Sequence, residues 1–241
     1  MINFNFVLPV KKEIGNQWML NNIADNLMLK LIIFTFTFNL CVAVDASELH
    51  ITLLTSDAKP MPNAVVYLLG SGQSGQQEID RKAIMDQIDG QFSPHILVVQ
   101  KDTQVRFPNS DSIKHHVYSF SQAKIFELQL YKGLDAEPLL FSKTGVVELG
   151  CNVHDWMLGY ILVVDSPYFG KTNGSGEMTL NVPNGDYQLH IWHPRIVQTS
   201  ESLRQNININ GDTSLLLNLS QPLLPDLNQY EVEKGDFSEY E

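Results

Sequence analysis

Three side chains that can bind a metal ion lie within seven residues of one another in the second half of the chain. They are Cys151, His154 and Met157, in the spacing Cys-x2-His-x2-Met. A thiolate, an imidazole and a weakly bound thioether are three of the donors of a mononuclear blue-copper site, which takes one further histidine. The spacing therefore predicts a copper site in which the segment from Cys151 onward supplies most of the ligands.

The remaining ligand is expected from one of two adjacent histidines upstream, His115 and His116. Neighbouring residues of a strand point to opposite faces of a sheet, so only one of the two can face the site. We prefer His115 because of its spacing from Asp111, and we keep His116 as the alternative ligand. Asn109 and Asp111 are expected to organise the loop or to hydrogen-bond the ligands, and Trp156 is expected to shield the metal from water.

The predicted ligands, His115, Cys151, His154 and Met157, favour one copper ion of the type 1 kind. A soft thiolate stabilises Cu(I), whereas imidazole suits both oxidation states, so both states can be held in one site. Zinc accepts cysteine and histidine, but methionine is a poor zinc ligand. A binuclear copper site needs a second cysteine and covalent haem needs Cys-x-x-Cys-His, and neither accompanies Cys151.

Residues 1–46 are typical of an N-terminal extension followed by a signal peptide. The chain is almost wholly apolar from residue 31 to 44, and small residues then lead to Ala46. A short positive start, an apolar run and a small-residue cleavage site define a secretory signal. We therefore predict translation from Met28 or Met19, cleavage after Ala46 and a periplasmic or secreted protein. A retained N-terminal anchor is the alternative.

Cleavage after Ala46 would remove Cys41 and leave Cys151 as the single thiol of the exported chain. An odd cysteine in an exported protein is either a reactive liability or a ligand, and a buried, metal-bound thiolate is protected from oxidation. The predicted export thus strengthens the copper hypothesis. After cleavage we expect no stable membrane insertion.

The chain is acidic, with a formal net charge of -11 and a pI near 5.0. Nucleic acid is excluded as an expected partner, because phosphate binding relies on lysine and arginine. The charge can steer a basic protein partner, and it also keeps the protein soluble. Residues 221–241 contain six acidic residues and one lysine, so we expect a disordered or loosely docked tail there.

Short apolar or alternating segments recur along the chain with turn signals between them, which is typical of an all-β sandwich or barrel. No long segment has a convincing helical period. Residues 85–95 are expected to be irregular. We predict strands at residues 49–56, 64–69, 96–99, 103–107, 116–120, 126–130, 146–149, 158–164, 177–182, 186–192, 207–209 and 214–219.

Two stretches carry a resemblance to a known family. Residues 107–115, which read Phe-Pro-Asn-Ser-Asp-Ser-Ile-Lys-His, together with 150–159, which read Gly-Cys-Asn-Val-His-Asp-Trp-Met-Leu-Gly, resemble the plastocyanin- and azurin-type cupredoxins. The bacterial exported proteins labelled methylamine utilisation proteins are especially similar. The resemblance implies a Greek-key β-sandwich over residues 84–167. It also implies a single copper ion, bound through His115, Cys151, His154 and Met157.

A second resemblance lies on both sides of the first. Residues 59–66, 172–176 and 182–187 are rich in glycine, proline and asparagine and are similar to carboxypeptidase-regulatory-like, or transthyretin-like, modules. This implies that residues 48–70 and 168–220 form one small β-sandwich into which the copper domain is inserted. The alternative is a simple order along the chain, in which 168–220 is a β-extension.

These patterns together predict an exported protein that carries single electrons between redox partner proteins and is not an enzyme. Two other hypotheses stay open. In the first, the flanking sandwich is a binding or scaffold module for a glycan or a protein. In the second, the chain delivers copper without redox cycling.

Overall fold

The computed structural model describes residues 46–70, 82–134 and 136–226. These ranges contain seventeen strands and no helix, and therefore no helix long and apolar enough to cross a membrane. The predicted signal peptide up to residue 45 and the acidic tail beyond residue 226 lie outside the described residues.

The strands are β1 (Ala46–Leu54), β2 (Val65–Gly70), β3 (Lys82–Ile84), β4 (Asp86–Ile88), β5 (Gln91–Ser93), β6 (Ile96–Gln100), β7 (Thr103–Arg106), β8 (His115–Ser121), β9 (Lys124–Tyr131), β10 (Leu139–Phe141), β11 (Gly145–Gly150), β12 (Leu158–Val164), β13 (Phe169–Lys171), β14 (Glu177–Pro183), β15 (Gly185–Trp192), β16 (Gln205–Ile209) and β17 (Thr213–Asn218).

Strands β3 to β12 form a central sandwich. Its five-stranded sheet has the order β6-β12-β11-β8-β9, its three-stranded sheet has the order β10-β7-β3, and β4 pairs with β5 in a hairpin. Side chains that alternate inward from both sheets fill its core, in which Phe107, Phe141, Leu149 and Ile161 are almost completely buried. Each such side chain stabilises the fold by roughly 1.5–3 kcal/mol. The predicted all-β sandwich is confirmed.

The remaining seven strands form a second, flanking sandwich. One sheet has the order β14-β1-β17 and the other has the order β13-β2-β15-β16. In β1 every second residue is buried, and Leu49, Ile51 and Leu53 enter the core of the flanking sandwich together with Leu68 and Leu189. The predicted second small β-sandwich is thus present. The described residues all belong to one compact unit, so a division of them into separate domains stays a prediction.

The two sandwiches share an apolar seam. Val65 of β2, Ile96 of β6 and Leu162 and Val164 of β12 are buried between the outward face of β2-β13-β15 and the outward face of β6-β12. The rings of Tyr160 and Trp192 meet edge to face across this seam, with centroids 5.8 Å apart. Strand β12 is consequently apolar on both faces, because one face packs in the central core and the other in the seam.

The expectation of irregular structure at residues 85–95 is wrong, because β4 and β5 form a tight hairpin there. Its turn is Asp89-Gly90, and both residues have positive φ angles, 53° and 66°. An Asp-Gly pair favours this kind of two-residue turn, since aspartate tolerates a positive φ and glycine adopts it freely. The three-residue strands β3, β10 and β13 were not predicted, because so few residues show no periodicity.

Candidate metal centre

The central sheet brings the distant parts of the predicted site together. Strand β11 ends at Gly150, which pairs with Leu158 at the start of β12, so residues 151–157 form a loop whose ends are joined by the sheet. Gly150 also pairs with Tyr118 of β8. Because β8 begins at His115, this pairing places that histidine beside the loop.

Three of the four predicted ligands form one buried group. The candidate donor atoms of His115, Cys151 and His154 all lie within 4.8 Å of one another. Cys151 Sγ is 3.9 Å from His115 Nδ1, and the two imidazole centroids are 4.9 Å apart. The exposed fractions of His115, Cys151 and His154 are 0%, 4% and 5%. Within the described ranges, no other group of three His, Cys, Asp or Glu residues is arranged to hold a metal ion.

Asp111 fixes the orientation of the His115 ring. Its Oδ2 is 2.6 Å from His115 Nε2, which leaves Nδ1 of the ring facing Cys151. The carboxylate is itself held by the backbone N–H groups of Asp89 and Gly90, at 2.6 and 2.9 Å. Burial alone would raise the pKa of Asp111, but the hydrogen bonds from Gly90, His115 and Asp89 outweigh it and lower this pKa. The aspartate is therefore a charged anchor for the ring.

The thiol of Cys151 is disposed to lose its proton. Burial would raise the pKa of Cys151, but the contact with His115 and the backbone N–H groups of His116, Val153 and His154 lower it overall. The same contact with Cys151, together with Asp111, raises the pKa of His115 against the opposing effect of burial. A thiolate is the form that binds a metal, so the protein groups around Cys151 shift its ionisation toward the ligating form.

The pKa of His154 is shifted in the opposite direction to that of His115. Burial and then the neighbouring His115 lower the pKa of His154, which keeps its ring neutral. A neutral imidazole is the form that binds a metal. One thiolate and two imidazoles fit a soft or borderline cation such as copper.

His116 lies outside this group. Its Nε2 is 2.9 Å from Glu127 Oε1, and its ring is 5.8 Å from that of Tyr118, so it belongs to the other face of the sheet. The pairing of β8 with β9 is irregular between His115 and Val117, and both histidines are buried. The structure thus brings His115, and not His116, beside Cys151 and His154.

Met157 closes the ligand loop from the other end. Its backbone N–H donates to the carbonyl oxygen of His154 at 3.0 Å, and its side chain is buried in the core cluster that contains Cys151. Its exposed fraction is 2%. A buried thioether in this cluster is suited to be a further, weak ligand, and its ligation stays a prediction.

Asn109 and Trp156 have different roles around the site. Asn109 is buried and donates through Nδ2 to the carbonyl oxygens of Ile113 and Tyr131, both at 2.9 Å, while its Oδ1 accepts from the N–H of Asp111. It therefore shapes the loop that leads to β8. The centroid of the Trp156 ring lies 5.0 Å from that of the His154 ring, and Trp156 is half-buried. It therefore covers part of that histidine.

The hairpin turn Asp89-Gly90 is the part of the site that sequence reasoning missed. Its two N–H groups hold Asp111, although the turn lies about twenty residues upstream. The Asp-Gly dipeptide was the available signal for a turn. Nothing in the sequence alone indicated that the turn would meet Asp111.

The chain thus combines an all-β sandwich with a buried His-Cys-His group. No family model and no curated protein matches the chain. Three of the solved structures that match each cover less than half of this chain. A purple cupredoxin from Nitrosopumilus maritimus is 24% identical and covers 34% of this chain and 99% of its own, with a TM-score of 0.31. The reduced Cu(I) form of an amicyanin mutant is 18% identical and covers 41% and 98%, with a TM-score of 0.32. A pseudoazurin from Sinorhizobium is 21% identical and covers 36% and 76%, with a TM-score of 0.28.

Proposed function

We propose that this chain is an exported mononuclear copper protein that carries single electrons between redox partner proteins and catalyses no reaction of its own. The observation that supports this most directly is the buried group of His115, Cys151 and His154, whose donor atoms lie within 4.8 Å of one another. Copper, when bound, would supply a one-electron couple that thiolate and imidazole can hold in both oxidation states.

The surroundings of the ligands favour electron transfer because they resist movement. Asp111 and the hairpin turn behind it hold the His115 ring, and the pairing of β11 with β12 fixes both ends of the loop. Ligands that stay in place when the charge of the metal changes lower the cost of each electron transfer. Met157 would supply a further, weak ligand from the same loop.

The route for electrons that we propose is His154. Its flanking residues Asn152, Val153 and Asp155 are exposed, and the half-buried Trp156 ring is in contact with its imidazole. A redox partner that docks on this loop would approach the metal more closely here than through the core. The acidic character of the chain favours a basic protein as that partner.

The test is the optical spectrum of the chain from Ser47 onward, purified without metal and titrated with Cu(II). We expect a strong visible charge-transfer band from the Cys151 thiolate that saturates at one equivalent. Cys151→Ser and His115→Gln should abolish or shift the band. His116→Gln is the matched control, since it removes the neighbouring histidine and should leave the band in place.

Redox cycling separates an electron carrier from a copper-delivery protein. Ascorbate should bleach the band and ferricyanide should restore it over repeated cycles without loss of copper. A chain that binds Cu(II) without the band, or binds equally well as Cys151→Ser, would contradict the proposal. Tight retention of Cu(I) with no reoxidation would instead support delivery.

A further inference from the structure

A cleft of about 1060 Å³ lies at one end of the seam between the two sandwiches. The flanking sandwich contributes residues 55–57, 59–63, Lys171, 193–195 and 222–226, and the central sandwich contributes residues 94–96, Leu158 and Tyr160. Binding sites for small molecules are commonly clefts of several hundred Å³ at such junctions. None of the residues that we assign to copper lines this cleft.

The charge of the cleft is opposite to that of the chain. Its lining contains three lysine or arginine side chains, Lys59, Lys171 and Arg195, against two carboxylates, Asp57 and Asp226. The whole chain, by contrast, has 16 lysine and arginine residues against 27 aspartate and glutamate residues. A local excess of cations on an acidic protein favours a negatively charged ligand.

Two of the three cations already have carboxylate partners. Lys59 pairs with Asp57 at 2.7 Å, and Arg195 pairs with Asp226 at 3.2 Å. Lys171 differs, because its Nζ donates to the backbone carbonyl of Ile96 at 2.8 Å and no described carboxylate lies within ion-pair distance of it. An ammonium group has three N–H donors, so Lys171 keeps donors for a ligand in the cleft.

Two histidines line the same cleft. His193 accepts the backbone N–H of Arg195 on Nδ1 at 3.1 Å, so the proton of its neutral ring lies on Nε2. Burial, Arg195 and His95 together lower the pKa of His193 to about 4. The ring is therefore a neutral N–H donor at physiological pH. The two imidazoles and Asp226 are not arranged as a metal site, since the His115 group is the one such cluster in the described ranges.

We propose that this cleft binds a small oxyanionic molecule that carries a carboxylate or phosphate group, with Lys171 as its charged partner and His193 as a neutral donor. The cleft is larger than a single phosphate. The remainder of the ligand would lie against Tyr160 and the proline residues of the lining. This site is separate from the copper function and does not depend on it.

Calorimetric titration tests the proposal with two probes, orthophosphate and citrate, on the copper-free and copper-loaded chain. We expect saturable one-to-one binding of at least one probe with equal affinity in both forms, and the two probes distinguish a phosphate from a carboxylate ligand. Lys171→Met should weaken the binding by about tenfold or more, since it removes a charged hydrogen bond. His193→Asn should weaken it as well and serves as the second variant if Lys171→Met fails to fold.

Lys143→Met is the matched control. Lys143 also donates from Nζ to a backbone carbonyl, that of Gln122 at 3.0 Å, but it lies outside the cleft. Its replacement should leave the affinity unchanged. The proposal is overturned if neither probe gives saturable binding, if binding requires copper, or if Lys171→Met and His193→Asn bind as well as Lys143→Met.

Discussion

Asp111 holds the ring of the predicted ligand His115 through a 2.6 Å contact with Nε2. We expect Asp111→Asn to weaken Cu(II) binding by about 10- to 100-fold, because partners of metal-bound histidines commonly have effects of this size. The amide keeps the volume of the carboxylate but loses its charge. In the natural chain this charged carboxylate holds the His115 ring and is itself held by two backbone N–H groups. The measurement is a competition titration with a copper chelator of known affinity.

Glu127→Gln is the control for this change. It removes a carboxylate that is 2.9 Å from His116, the adjacent histidine that lies outside the buried group. Copper affinity should be unchanged in Glu127→Gln. Equal losses in the two variants would show that Asp111 has no special role.

The His193 ring should make the fold less stable as the pH falls. Its folded pKa is lowered from 6.5 to about 4, so the unfolded chain binds the proton first when the pH drops below 6.5. The stability is fully present above pH 6.5 and is lost progressively toward pH 4. Between pH 7 and 5 we expect a loss of about 1–2 kcal/mol from this ring, with solvent screening taken into account.

Urea denaturation of His193→Gln at pH 7 and pH 5 measures this loss. The variant should show a smaller decrease in the free energy of unfolding between the two pH values than the natural chain. His50→Gln, which replaces a histidine with a side chain 49% exposed, is the control and should keep the full decrease. An unchanged decrease in His193→Gln would contradict the assignment.

Among single residues, the sequence predicted best what lies within one loop. Cys151, His154 and Met157 are visible as a motif because they share one connection between two strands. Strand parity required a choice between His115 and His116, the spacing from Asp111 favoured His115, and the structure places that ring beside Cys151. The support of Asp111 by Asp89 and Gly90 could not be predicted, since it depends on how two loops meet in space.

At the scale of elements, every described strand of four or more residues was predicted, because that length is enough to show alternation or a β-branched run. The range 158–164 agrees with β12 at both ends, and most other strands agree within one to three residues. The hairpin of β4 and β5 was missed because each of its strands has only three residues. Its role becomes clear only from contacts, since it packs against β12 and supports Asp111.

Strand β12 begins directly after the ligand loop and is held by a close contact at Gly159. A Cβ atom at this position would lie 2.7 Å from Cβ of Phe92 and 2.9 Å from its ring. We expect Gly159→Ala to destabilise the fold by roughly 1–3 kcal/mol, because the overpacked β5 and β12 must separate. The copper-loaded variant should also show a shifted visible band, since the loop that ends at Leu158 moves with β12.

Urea denaturation and the absorption spectrum check both effects. Gly174→Ala is the matched control, because no atom lies within 4 Å of a Cβ added there. That variant should change the free energy of unfolding by less than about 0.5 kcal/mol. If Gly159→Ala has the same free energy of unfolding as the natural chain, then β5 and β12 separate freely.

At the scale of the whole molecule, the sequence indicated two sandwiches but not how they join. The strands of the flanking sandwich come from both ends of the described chain, and β1 lies parallel to β17. The seam was hidden because its residues also satisfy the pattern of ordinary strands. One signal was available, since residues 161–164 of β12 are continuously apolar, and such a run is typical of a strand buried on both faces.

The seam predicts that both sandwiches unfold together. Leu162 is 4% exposed and packs in the seam rather than in either core, so its contacts couple the two sandwiches. In the natural chain, loss of the visible copper band and loss of the far-UV circular dichroism signal should coincide during thermal unfolding. Leu162→Ala should destabilise the chain by about 2–5 kcal/mol through the cavity that it leaves.

Leu162→Ala should also separate the two signals, because weaker coupling lets one sandwich unfold before the other. Leu216→Ala, which truncates a leucine that is 65% exposed on β17, should leave a single transition at nearly the natural temperature. Two transitions in the natural chain would show that the sandwiches are independent and that the seam is only a contact. One transition in Leu162→Ala, shifted but still common to both signals, would mean that the remaining seam residues are sufficient to keep the molecule a single cooperative unit.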